Sequence, residues 1–165
     1  MSLTIQVPAE YGYVFGAATA IFFVNAYHSM LTGTYRRAAK IPYPNCYASA
    51  ELAQKDNAAF QFNCAQRAHA NFGENLPTFL GALFISGLRF PILSASAGVA
   101  WAIARVLYAR GYVKNGPKGR HISSSGRTRR EHFANTTSGT VHYVLDVALK
   151  LASAYTAYTF IQPLL

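Results

Sequence analysis

The sequence predicts an all-α fold, an integral membrane bundle of four helices with left-handed up-down topology. Three observations predict it. Apolar segments cover about residues 11–31, 58–88, 92–113 and 138–162, each near or above the ~20 residues that cross a bilayer as a helix. The first is free of Asp, Glu, Lys and Arg, and the third holds only Arg105 and Arg110. The connections are polar and basic, so a chain that is 52% hydrophobic concentrates its apolar residues where a membrane requires them. A soluble helical bundle is the competing reading, kept open by polar residues inside the second and fourth segments. Segment length and the near absence of charge in the first and third favour the membrane.

The elements follow in order. The first ten residues carry no positive n-region and the first apolar run has no clear small-residue cleavage site, so segment 11–31 is expected to stay as a membrane helix. Residues 42–57, with Pro42 and Pro44, read as a loop. The second helix, 58–88, is long, and its first end is expected to project beyond the lipid. Pro77 removes a backbone donor inside it and predicts a kink just past the polar residues. The tight run Gly87-Leu88-Arg89-Phe90-Pro91 makes the second and third helices antiparallel neighbours. In the fourth segment Asp146 and Lys150 stand at i, i+4 and are expected to pair with each other rather than to mark an ion path. No internal repeat or second unit is visible, so residues 1–165 read as a single transmembrane domain.

The net charge of +9 is informative through its placement. Arg36, Arg37, Lys40 and Lys55 lie in the first connection. Arg110, Lys114, Lys118, Arg120, Arg127, Arg129 and Arg130 lie in or beside the third, whereas the second offers only Arg89. The positive-inside rule then puts the first and third connections in the cytoplasm and the termini on the other side. The basic third connection suits anionic lipid headgroups or an anionic substrate better than nucleic acid, because it adjoins the membrane. Cytoplasmic placement leaves the Asn135-Thr136-Thr137 acceptor unmodified and Cys46 and Cys64 as structural or incidental thiols at or near a reducing compartment. The five His residues lack close ligand spacing, so no metal is expected.

Chemistry concentrates in the second helix. Arg67, Asn71 and Glu74 recur at i, i+4 and i+7 and form one polar stripe. Arg67 offers a planar fork for a carboxylate, Glu74 an acceptor for an ammonium, and Asn71 both a donor and an acceptor. The set matches a zwitterionic ligand, and it equally matches an ion pair that satisfies itself as structural glue. A second stripe, Arg105, Tyr108 and Tyr112 with Arg120 just beyond, converges on the same end of the bundle and favours a ligand site.

The run Phe62-Asn63-Cys64-Ala65-Gln66-Arg67-Ala68-His69-Ala70-Asn71, followed by Glu74, Pro77, Phe79 and Leu80, and later Arg105-Val106-Leu107-Tyr108-Ala109-Arg110-Gly111-Tyr112, resembles the microsomal glutathione transferases of the type-three group. These belong to the MAPEG proteins, the membrane-associated proteins in eicosanoid and glutathione metabolism. The likeness extends from about residue 11 to the end of the third helix. It implies a homotrimer of four-helix subunits that holds glutathione at subunit interfaces near the cytoplasmic face. Arg67, Asn71, Glu74, Tyr108 and Tyr112 match the family's glutathione-binding positions, as does Arg36 at the end of the first helix. His69 stands where leukotriene C synthase has a glutamine at the same site, and Asn75 where it has a tyrosine.

Arg120 falls where the thiol-activating arginine of the family is expected, with Arg127 and Arg129 as alternatives. A thiol of pKa ~8.5 ionises more readily beside a fixed cation, and the thiolate is the nucleophile. The resemblance therefore implies conjugation of glutathione, as co-substrate, to hydrophobic electrophiles that arrive through lipid. Glutathione-dependent reduction of lipid hydroperoxides is the companion activity. The competing readings are a non-catalytic, lipid-binding family member that presents fatty acids to a partner enzyme, and a small transporter built around Asp146 and Lys150. The family expectation for location is the endoplasmic reticulum, with the mitochondrial outer membrane as the alternative.

Overall fold

The computed structural model describes the backbone over residues 7–117 and 129–164, with side chains over 7–117 and 141–163. Every regular element among the described residues is helical. A 3-10 turn at Ala9–Tyr11 leads into α1 (Gly12–Ala38), followed by α2 (Ala50–Lys55), α3 (Asn57–Gly87), α4 (Pro91–Asn115) and α5 (Arg129–Ile161).

α1 turns Val14, Ala17, Ala18, Ile21, Val24, His28 and Thr32 inward at helical spacing and leaves Phe15, Phe22, Phe23 and Met30 on the outside. Small residues inside and large apolar ones outside suit a helix that packs closely on its neighbours and faces lipid. It continues to Ala38 rather than stopping at Leu31. Arg36 and Arg37 favour the negative end of the helix dipole, and a Schellman turn closes it. In that turn Ile41 N–H donates to Arg36 O at 3.3 Å and Lys40 N–H to Arg37 O at 3.1 Å. Lys40 takes the left-handed position, at φ 53°.

The stretch read as a loop contains α2. Ser49 caps it by accepting from Leu52 N–H at 3.2 Å, and Glu51 sits in its first turn. One residue later Asp56 caps α3 by accepting from Ala58 N–H at 2.9 Å. Pro91 opens α4, where its missing N–H costs nothing.

Contacts set the topology. Tyr11 donates to Phe84 O at 2.9 Å and Thr32 to Ala65 O at 3.4 Å, so α1 and α3 run antiparallel. Ser86 and Ser94 share a buried hydrogen bond of 2.8 Å beside the α3–α4 turn, and Asn71 meets Arg105 about three to four turns further along. Tyr108 lies against His142, and Phe90 against Tyr155, which makes α5 antiparallel to α4. The order is up-down-up-down, with α3 and α4 packed against each other and each packed against both α1 and α5. Close approach of α1 to α3 depends on Gly87, where an added Cβ would stand 2.9 Å from Val14 Cγ2. The core between them is built on Phe72, Phe79 and Trp101, with Phe79 stacked on Trp101 at 4.0 Å between ring centroids.

Among the described residues three stretches are long and apolar enough to cross a membrane: Ala9–Ala38, Pro91–Asn115 and Val141–Ile161. α3 has the length, at 31 residues, but is too polar to join them, whereas its apolar content had counted it as a fourth. Its place against three other helices explains how it tolerates polar groups, since its partners rather than lipid cover much of its surface. Outward-facing Ile92, Leu93, Ile103, Val144 and Leu151 give α4 and α5 apolar exteriors. Pro77 lies inside α3, which continues through it as one helix.

Candidate functional site

Counting from its Asp56 cap, α3 presents Asn63, Arg67, Asn71 and Glu74 along one side, and the stripe divides in two. Arg67 donates to Glu74 Oε1 at 2.6 Å, and the two side chains are 46% and 54% exposed. They stand on the outer surface of the bundle. Asn71 turns inward, and its Oδ1 accepts from Arg105 Nη1 on α4 at 2.9 Å. The divergence follows from helix geometry, because Asn71 is rotated about 40° from Arg67 and about 60° from Glu74 around the axis.

Arg105 is fully buried. Its guanidinium lies over Tyr108, Phe72 and Trp101, with 4.9, 5.5 and 5.6 Å to the ring centroids. These ring faces contribute cation–π attraction in place of water. Its Nε and second Nη have no hydrogen-bond partner among the described residues. Glu74 is within electrostatic range of Arg105, so the outer pair and the inner pair form one polar patch between α3 and α4.

Tyr108 and Tyr112 are buried one turn apart with ring centroids 5.6 Å from each other. They pack with Cys64, Ala68 and Ala109 directly behind the Arg67 turn. Tyr112 is also within electrostatic range of Arg67. The two stripes therefore converge, through Asn71 to Arg105 and through Tyr112 to Arg67.

Two other predicted residues lie apart from that patch. His69 is half-buried and faces the His28 ring of α1, 6.1 Å away between centroids, on the side of α3 opposite Arg67. Two positions along a helix rotate a side chain by about 200°, which is why His69 cannot share the stripe. Arg36 donates to Asn45 O at 2.7 Å and covers the Tyr43 and Phe62 rings, so its contacts are with the first connection rather than with Arg67 or Glu74. Arg120, with Arg127, lies outside the described residues, and the side chain of Arg129 does as well.

Three residues around the stripe were not singled out by sequence reasoning. His28 is buried, stacks on Phe72 at 4.7 Å, and has no hydrogen-bond partner for either ring nitrogen among the described residues. As the one imidazole in an otherwise apolar run, it could have been flagged. Asn63 holds Ala48 through two hydrogen bonds, and Tyr47 lies within electrostatic range of Arg67. No spacing signal announces either, because the contacts join distant parts of the chain.

Elsewhere Lys150 donates to Asp146 Oδ2 at 2.6 Å along one face of α5, while Asp146 Oδ1 is buried with no hydrogen-bond partner among the described residues. Cys46 is exposed, Cys64 is buried, and both are free thiols. No cluster of three His, Cys, Asp or Glu suited to a metal occurs among the described residues.

A helical bundle with apolar exteriors and an ionic patch on its central helices is an integral membrane protein. The sequence model of the MAPEG family matches residues 14–126, and the chain belongs to that family. The match takes in α1 to α4 and both polar stripes, and it ends before α5. The family includes glutathione transferases as well as non-catalytic members.

Proposed function

We propose that this MAPEG protein is a glutathione transferase of the type-three microsomal group, conjugating glutathione thiolate to hydrophobic electrophiles and reducing lipid hydroperoxides with the same thiolate. The observation that carries this reading is the Arg67–Glu74 pair. Opposite charges half exposed on the outside of a membrane helix gain little from each other in water and are costly against lipid. Such a pair calls for a cover. An α-amino acid group supplies the complementary charges, its carboxylate to Arg67 and its ammonium to Glu74, and the γ-glutamyl end of glutathione carries that group. A second and third copy of the chain, as a homotrimer with sites at the interfaces, would close the patch against lipid.

The remaining residues take roles that follow from their chemistry. Asn71 and Arg105 brace α3 against α4 behind the site, and Tyr108 and Tyr112 wall it. Arg120 is assigned the activating cation. An arginine keeps its charge at neutral pH and favours the thiolate without acting as a base, and each pKa unit of lowering corresponds to about 1.4 kcal/mol. The thiolate attacks the electrophilic carbon and displaces its leaving group. With a hydroperoxide, two glutathione molecules become the disulfide while the peroxide becomes alcohol and water. The basic first and third connections support a site on the cytoplasmic side, with the endoplasmic reticulum as the membrane and the mitochondrial outer membrane as the alternative.

Purified protein in detergent is predicted to conjugate glutathione to a chlorodinitrobenzene and to reduce a fatty-acid hydroperoxide. Arg67→Ala is predicted to raise KM for glutathione, and Arg120→Ala to lower kcat far more than glutathione affinity. Absence of turnover together with absence of saturable glutathione binding in calorimetry would instead make the chain a lipid-binding, non-catalytic member.

A further inference from the structure

The first connection is fastened to both helices that flank it. From α1, Arg36 Nη1 donates to Asn45 O at 2.7 Å, and its guanidinium is layered with Tyr43 at 4.3 Å and Phe62 at 4.6 Å. From α3, the amide of Asn63 binds both backbone groups of one residue: Oδ1 accepts from Ala48 N–H at 2.8 Å and Nδ2 donates to Ala48 O at 3.0 Å. Ala48 is itself buried with Ala39, Ile41, Ala59 and Phe62. A paired donor and acceptor on a single residue fixes its orientation as well as its position. The neighbouring residue is therefore held in place too.

That neighbour is Tyr47, and Asn63 stands one turn before Arg67 on the same side of α3. The Tyr47 side chain remains exposed, and its phenol is within electrostatic range of the Arg67 guanidinium. A hydroxyl carried on backbone held at Ala48, one turn from an arginine suited to a carboxylate, is placed to add a second donor to the same anion.

We propose that residues 43–48 form a strap over the mouth of the site, that the Tyr47 hydroxyl donates to the ligand carboxylate held by Arg67, and that Asn63 and Arg36 are positioning residues for this strap. The proposal rests on the glutathione reading, and with the charges assigned above the carboxylate is that of the γ-glutamyl group. It gives Arg36 a function through the strap, in keeping with its contacts.

The test is steady-state kinetics with glutathione and with cysteinylglycine, which lacks the γ-glutamyl group, against one chloroarene. Tyr47→Phe is expected to raise KM for glutathione about tenfold, the size of one hydrogen bond to a charged group, with kcat within about twofold. Its kcat/KM for cysteinylglycine is expected to match wild type, so selectivity between the thiols falls by the same factor. Asn63→Ala is expected to reproduce the change, and the double variant to be no worse than either single one, since both act on one contact. Wild-type KM and selectivity in Tyr47→Phe, or an equal loss with both thiols, overturns the strap while leaving the transferase reading intact. An inactive wild type that does not bind glutathione overturns both.

Discussion

Arg105 shows how a single residue ties stability to function in this bundle. It is a buried cation whose direct side-chain hydrogen bond is to the neutral amide of Asn71, with aromatic faces around the rest. Removing that amide strands a charge in a low-dielectric core, whereas removing both partners does not. Asn71→Ala is predicted to cost about 2 kcal/mol, and Asn71→Ala with Arg105→Met to recover most of it. The double variant is predicted to stay inactive, because Met supplies no brace for the patch. Unfolding in detergent and conjugation rates, measured on the same preparations, check the two halves separately. At this scale the sequence disclosed which residues are chemical and left open how they pair. The Arg67–Glu74 pair was one of two readings the spacing allowed, whereas the Asn71–Arg105 pair depends on the position of α4 and is contained in no spacing along α3. His69, matched by motif, stands on another face of α3 than Arg67, and Tyr47 came into view only through the hydrogen bonds that hold Ala48 to Asn63.

Elements were more legible because each is set locally. The four long helices were placed from apolar content, and the structure adds the local devices that bound them: the caps Ser49 and Asp56, the opening Pro91 and the inward Val14, Ala17 and Ile21. The misjudged boundaries have physical causes. α1 outlasts its apolar run because basic residues suit its C-terminal dipole, and α2 is too short for periodicity to reveal. The backbone of α5 is helical from Arg129, within a stretch whose Arg and Thr residues read as connection. The end of α4 supplies a sharp test. Gly116 has φ +64°, and an added Cβ would meet the Phe60 ring at 2.8 Å, so this glycine lets α4 end tightly against α3. Gly116→Ala combines left-handed strain with overpacking and is predicted to destabilise by about 2 kcal/mol. Chemical unfolding against wild type measures it, and a neutral result would mean that α4 does not end in this turn.

For the whole molecule, the arrangement places apolar side chains outward on α1, α4 and α5 and concentrates charge on α3, α4, the connections and the helix ends that adjoin them, with Asp146 and Lys150 as a paired exception within α5. That is the division a membrane imposes, and charge and hydropathy patterns alone were enough to predict it. The Arg67–Glu74 pair breaks the rule on the outside of the bundle, and the proposed function rests on what covers it. The most direct test is the ultraviolet difference spectrum of detergent-purified protein titrated with glutathione at neutral pH, for wild type and Arg120→Ala. A saturable thiolate band in wild type that is lost in the variant is the predicted result. A wild type with neither a band nor saturation would contradict the account and leave Arg67 and Glu74 as an ion pair that serves only the fold.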